Sequence, residues 1–135
     1  MSKIKIDEAD HLTVQDVLHA KLSALDAGAT VADAREYFAA STSRRQAFVT
    51  DDGRYVGSLL AADLEGDVDP DQLVTEIADH GTTIGPEAPA TTGRDLALQT
   101  DARRVPVVDA EGKLVGVVAV TGDLQSFCGT ADRAR

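Results

Sequence analysis

A chain of 135 residues has the length of one ordinary domain and can bury a core without staples. With 43% hydrophobic and 4% aromatic residues it reads as globular rather than disordered. Acidic residues outnumber basic ones 23 to 13, a net charge of −10, which argues against nucleic acid or an anionic membrane as the main partner.

The single cysteine, Cys128, leaves no internal disulfide and no cysteine-based metal set, and it suits a reducing cytoplasm. No apolar run approaches a membrane span, and MSKIKIDEAD lacks the apolar stretch of a secretory leader.

In chain order, residues 1–12 read as an N-terminal tail. Thr13 to His19 then has Val14, Val17 and Leu18 at helical spacing. Ala24-Leu25 is a short extended piece. Thr30 to Ala40 carries Val31, Ala34, Tyr37 and Phe38 on one face, a helix of about three turns. Gln46 to Thr50 and Tyr55 to Leu60 are strands joined across Asp51-Asp52-Gly53, a hairpin turn. Asp63-Leu64 opens a last short helix. Within the linker, Asp69-Pro70-Asp71-Gln72 has the make-up of a helix start: a capping aspartate, a proline at the first turn, a glutamine three residues on.

The rest of the chain repeats this order. A constant 59 residues separate Arg44 from Arg103, Gly53 from Gly112 and Gly57 from Gly116. The same offset sets Val14 against Leu73, Leu25 against Ile84 and Leu59 against Val118; after that the register slips by one, to Asp63 against Asp123. The chain therefore divides into one copy over 13–64, a linker over 65–71, a second copy over 72–128 and a tail over 129–135. Each copy is too small to bury a core easily alone, so the two are expected to pack as a pseudo-symmetric α/β (α+β) pair.

Chemistry-bearing constellations are few. His11, His19 and His80 lack ligand spacing, and Cys128 has no partner set around it. The DEAD of Asp7 to Asp10 is unaccompanied by a phosphate loop. No catalytic grouping can be assembled, and no enzyme is expected.

The order helix, strand, helix, strand, strand, helix, with "TTIGPEAP", "RRVPVVDAEGKLVGVV" and "VGSLLAADL" at matching places, resembles a tandem pair of CBS domains, a Bateman module. The resemblance implies a ligand-sensing module, with no required cofactor, that binds AMP, ADP, ATP or S-adenosylmethionine in a cleft between the copies. It also implies a homodimer and a regulated partner protein that the residues do not identify. The family's Gly-x-x-Thr/Ser-x-x-Asp motif falls on Gly57, Leu60 and Asp63, and on Gly116, Ala119 and Gly122, with Asp123 one step late. Both hydroxyl positions are thus apolar. By the same resemblance Thr83 joins Asp63 in one cleft, and Arg44, Arg45, Arg103 and Arg104 stand where phosphate binds. Two readings stay open: an adenosine-ligand sensor, favoured by those arginines, Asp63 and Thr83; or a structural or interaction module, favoured by Leu60, Ala119 and the displaced Asp123. Without the resemblance, Asp63 reads as a helix N-cap and the arginine pairs as partners of the acidic surface.

Overall fold

A computed structural model describes residues 4–19, 24–41, 44, 46–100, 102–121 and 123–127. Gly122, Cys128 and the C-terminal tail lie outside them, as does Arg45, one of the expected phosphate contacts. The chain forms two compact units: a continuous one, Ser23–Gly81, and a discontinuous one made of Met1–Leu22 and Thr82–Arg135.

In the continuous unit β1 (Leu25–Asp26) runs parallel to β2 (Gln46–Asp51), which pairs antiparallel with β3 (Arg54–Leu60). The helix α2 (Val31–Ala39) packs between them in sequence, following the one-turn α1 (Val14–Val17) of the other unit in the numbering. Thr30 starts α2 with a reciprocal cap: its hydroxyl accepts from Asp33 N (3.3 Å) and the Asp33 carboxylate accepts from Thr30 N (3.0 Å). The core gathers Val31, Ala34, Ala47, Val49, Leu59, Leu64 and Val74. Val74 belongs to the second sequence copy.

In the discontinuous unit α3 (Ala90–Leu98) precedes the antiparallel pair β4 (Arg104–Val108) and β5 (Leu114–Ala119), and Ile84 bridges to Val107 in parallel. Its core includes Val14, Val17, Leu18, Ile84, Val105, Val107, Val118 and Phe127. Here Val14 comes from the first copy.

The copies have thus exchanged their opening turns, and backbone bonds do the exchanging. Val14 N donates to Ala88 O (2.8 Å) and Ala90 N to Leu12 O (2.9 Å). At the matching places Val74 N donates to Ala29 O (3.0 Å) and Val31 N to Gln72 O (2.8 Å). Each turn is then followed by an edge residue on the last strand of the unit it joins: His19 pairs with Val117, Asp79 with Ser58. That pairing explains why α1 ends at Val17 although the helical spacing runs over Thr13 to His19. Leu18 turns extended so that His19 can exchange two backbone bonds with Val117, 2.7 and 3.1 Å.

The linker signal at Asp69 to Gln72 is a turn rather than a helix start. Asp69 accepts from Asp71 N and Gln72 N, and the only helical turn nearby is 3-10, at Val74–Glu76. The carbonyls of Pro70 and Gln72 instead satisfy the otherwise orphaned Ala32 and Val31 amides at the start of α2. Residues 4–12, read as a tail, are built into the discontinuous unit: Ile6 N donates to Gln125 O, and Ala9 is buried.

Gly57 is required by this edge pairing. A Cβ there would stand 3.1 Å from the Asp79 carbonyl carbon and oxygen, backbone atoms fixed by the Ser58–Asp79 bonds of 2.9 and 2.8 Å. Gly57→Ala is expected to lower stability by about 1–3 kcal/mol as an overpacked site with little room to yield, measured by denaturant unfolding.

Candidate functional site

The two hairpins differ by one residue in register, and this changes which arginines correspond. In the continuous unit Asp52 and Gly53, both at positive φ, form a two-residue turn, and Val49 lies opposite Gly57. In the discontinuous unit the Asp109 carboxylate accepts from the amides of Glu111 and Lys113, opening a three-residue loop closed by Gly112 at φ 84°, and Val107 lies opposite Gly116. Val49 and Val107 are therefore the matching strand positions, where the constant offset would have matched Val49 to Val108. Counting back from them, Arg103 corresponds to Arg45, Arg104 to Gln46 and Arg44 to Ala102.

Arg44 is engaged within its own unit. Its Nη1 donates to Tyr37 O at 2.6 Å and its guanidinium lies 4.1 Å from the Tyr37 ring centroid, closing the C-terminal end of α2. Arg103 and Arg104 are placed differently. Arg103 sits at φ 55°, an uncommon left-handed conformation for a side-chain-bearing residue, with its amide on Thr100 O and its carbonyl accepting from Val120 N. The Thr100 hydroxyl accepts from Arg104 N at 3.0 Å. Among the described residues the ion pair present is Arg94–Asp95, and neither Arg103 nor Arg104 pairs with a described carboxylate.

Pairing within the unit sets the neighbours of these two arginines. Arg104 lies opposite Ala119 at the end of β5, from which the chain enters the Thr121–Ser126 turn. Ile84 N donates to Pro106 O and pairs in parallel with Val107, so half-buried Thr83 precedes a residue held against the middle of β4. Thr83, Arg103, Arg104 and Asp123 all belong to the discontinuous unit.

Asp123 does not repeat the Asp63 arrangement. It occupies a tight turn in place of the short helix expected there, accepting from the Thr121 hydroxyl and from Gln125 N (3.0 Å). The turn is closed by Thr121 N to Ser126 O and lets Val120 bridge to Phe127. Thr121 was missed by sequence reasoning. A hydroxyl absent at Ala119 returns two residues later, beside the aspartate that is one step late.

Asp63 lies in the continuous unit with Arg44, whereas Thr83 lies in the discontinuous one. Asp63 is exposed in a 3-10 turn, Ala61–Leu64, at its third position and not at the N-cap. Its Oδ2 accepts from Leu60 N at 2.8 Å. That bond turns the carboxylate back toward the entry of the turn through Oδ2.

Among the described residues Tyr55, in β3, has the titration of its phenol displaced by its surroundings. Burial pushes its phenol above the ordinary range, a hydrogen bond with Ser58 opposes this, and the Asp79 charge adds to it. The hydroxyl donates to His80 O at 3.0 Å. Among the described residues no cluster of three His, Cys, Asp or Glu side chains could hold a metal ion, and no helix is long and apolar enough to cross a membrane.

Residues 74–121 match the family model of the CBS domain. No curated protein matches the chain. Among solved structures, the cystathionine β-synthase pair domain of a putative Mg2+ transporter from Shewanella oneidensis MR-1 superimposes with a TM-score of 0.68 at 18% identity, over 88% of this chain and 67% of that one. The CBS-pair protein CBSX2 from Arabidopsis thaliana gives 0.69 at 23% identity, over 79% and 87%. A structure of CBSX2 in complex with AMP also matches, with a TM-score of 0.68 at 24% identity, over 83% and 92%. The cytosolic domain of the Mg2+ channel MgtE in complex with ATP gives 0.65 at 27% identity, over 76% of this chain and 44% of that one.

Proposed function

We propose that this chain, a CBS domain pair, is a non-catalytic regulatory module that binds an adenosine-containing ligand of the AMP, ADP or ATP class and signals by a change in conformation. The observation that carries the reading is the placement of Arg103 and Arg104. In an acidic protein they stand at the end of β4 that pairs with the end of β5, without a carboxylate partner among the described residues, in the same unit as Thr83 and Thr121. Planar guanidinium groups make paired, charge-assisted bonds to phosphate oxygens, and hydroxyls complete such a shell. The exposed Asp63 carboxylate suits a vicinal diol such as ribose, because a carboxylate accepts from both hydroxyls. AMP in CBSX2 and ATP in MgtE support the choice of ligand class.

Calorimetric titration with AMP, ADP, ATP, adenosine and S-adenosylmethionine tests this. Arg104→Ala is expected to weaken AMP by about 1.5–3 kcal/mol, as loss of a charged hydrogen-bond donor does, while adenosine affinity holds. Equal loss for adenosine would remove Arg104 from the phosphate end. No heat from any ligand would sink the sensor and favour the structural or protein-interaction module. That second reading draws on the apolar Leu60 and Ala119 and on the committed Arg44. Homodimerisation and a regulated partner protein belong to the same proposal, and sedimentation velocity measures the first.

A further inference from the structure

We propose that Arg35, in α2, is a positioning residue that holds the 3-10 turn carrying the Asp63 carboxylate in one conformation. The ligand arm of the idea rests on reading Asp63 as a ribose contact; the positional arm does not.

Arg35 is half-buried, and its Nη2 donates to Leu64 O at 2.8 Å, with Val68 O at 3.5 Å. Leu64 directly follows Asp63. The 3-10 turn is consequently tied at both ends: at its entry by Asp63 Oδ2 on Leu60 N (2.8 Å), at its exit by the Arg35 guanidinium on Leu64 O. A four-residue 3-10 turn has few internal bonds and poor bond geometry, so it relies on external ties to keep one conformation. Leu64 is itself buried, which anchors the turn laterally but leaves rotation about the Asp63 peptides to the two polar ties. Removing Arg35 also leaves the Leu64 carbonyl without its donor, and water entering to satisfy it would loosen the turn.

The molecule contains its own control. Arg94 stands at the matching position of α3, 59 residues on, and also donates to a distant backbone carbonyl, Ile6 O at 3.1 Å. That carbonyl belongs to the N-terminal segment, whereas Asp123 is held separately by Thr121 and Gln125. The same chemistry therefore positions a carboxylate in one unit and only anchors a segment in the other.

Amide hydrogen exchange in the ligand-free protein, read at Leu60 against the amides of β2, decides the positional arm. Leu60 exchange is expected to rise about tenfold in Arg35→Ala, the effect of losing roughly one net charged hydrogen bond, to recover partly in Arg35→Lys, and to stay at the wild-type rate in Arg94→Ala. An unchanged Leu60 rate in Arg35→Ala, or an equal rise in Arg94→Ala, overturns the assignment. Titration with AMP decides the other arm. Arg35→Ala is expected to weaken AMP about tenfold, with no further loss when added to Asp63→Ala. Additive losses would mean that Arg35 does not act through Asp63. A wild-type protein that takes up no AMP overturns the ligand reading alone, and the Leu60 exchange still decides the positioning.

Discussion

Val74→Asp is expected to unfold the continuous unit, and Val14→Asp the discontinuous one. Val74 is fully buried among Val31, Ala34, Val49 and Leu59, and its amide holds Ala29 O. A carboxylate there has no partner in an apolar shell, and such substitutions destabilise by on the order of 4 kcal/mol or more. Val14 has the same standing beside Val17, Ile84 and Val118. The boundaries legible in the sequence, 13–64 and 72–128, assign the damage the opposite way: Val74 to the second copy, Val14 to the first. Exchange rates along the chain separate the alternatives. Val74→Asp should strip protection from β2 and β3 before β4 and β5, and Val14→Asp should reverse the order. Damage confined to β4 and β5 in Val74→Asp would mean that the opening turns are not exchanged.

The exchange was illegible for a physical reason. Periodicity identifies Val14, Val17 and Leu18 as a buried face, but the choice of core is made by backbone bonds such as Val14 N to Ala88 O, and every residue offers a backbone carbonyl. Arg35 and Arg94 escaped notice on the same ground, since their acceptors are the carbonyls of Leu64 and Ile6. Features written in side-chain chemistry were legible. Val31, Ala34, Tyr37 and Phe38 on one face marked α2, and Asp51-Asp52-Gly53 marked the first hairpin turn. The second hairpin shows where identity misleads. Gly112 kept its place in the repeat while Asp109 bonded forward to Glu111 and Lys113, widening the loop and sliding β4 by one residue. The arginine pairs matched in sequence are for that reason not matched in structure. Arg44 was drawn to Tyr37, and Arg103 and Arg104 stand without a carboxylate partner among the described residues.

Phe127→Ala is expected to cost about 3–5 kcal/mol, the range for a buried phenylalanine truncated to alanine, and to act on the discontinuous unit. Phe127 is fully buried in the core that holds Val14, Val105 and Val118, and its amide donates to Ile4 O at 2.8 Å. It reaches that core because the chain reverses through the Thr121–Ser126 turn, which also sets Asp123. The stability of the unit and the shape of its aspartate turn are thus joined in one short segment. Denaturant unfolding measures the loss, and Phe127→Leu, which keeps most of the apolar volume, should recover the larger part of it. A loss below about 1 kcal/mol would place Phe127 outside the core, because truncation of a buried ring forfeits transfer energy and leaves a cavity together. Thr121→Val gives the complementary result. It removes the hydroxyl that donates to Asp123 while keeping the side chain's volume, so the aspartate turn should loosen with Phe127 still seated.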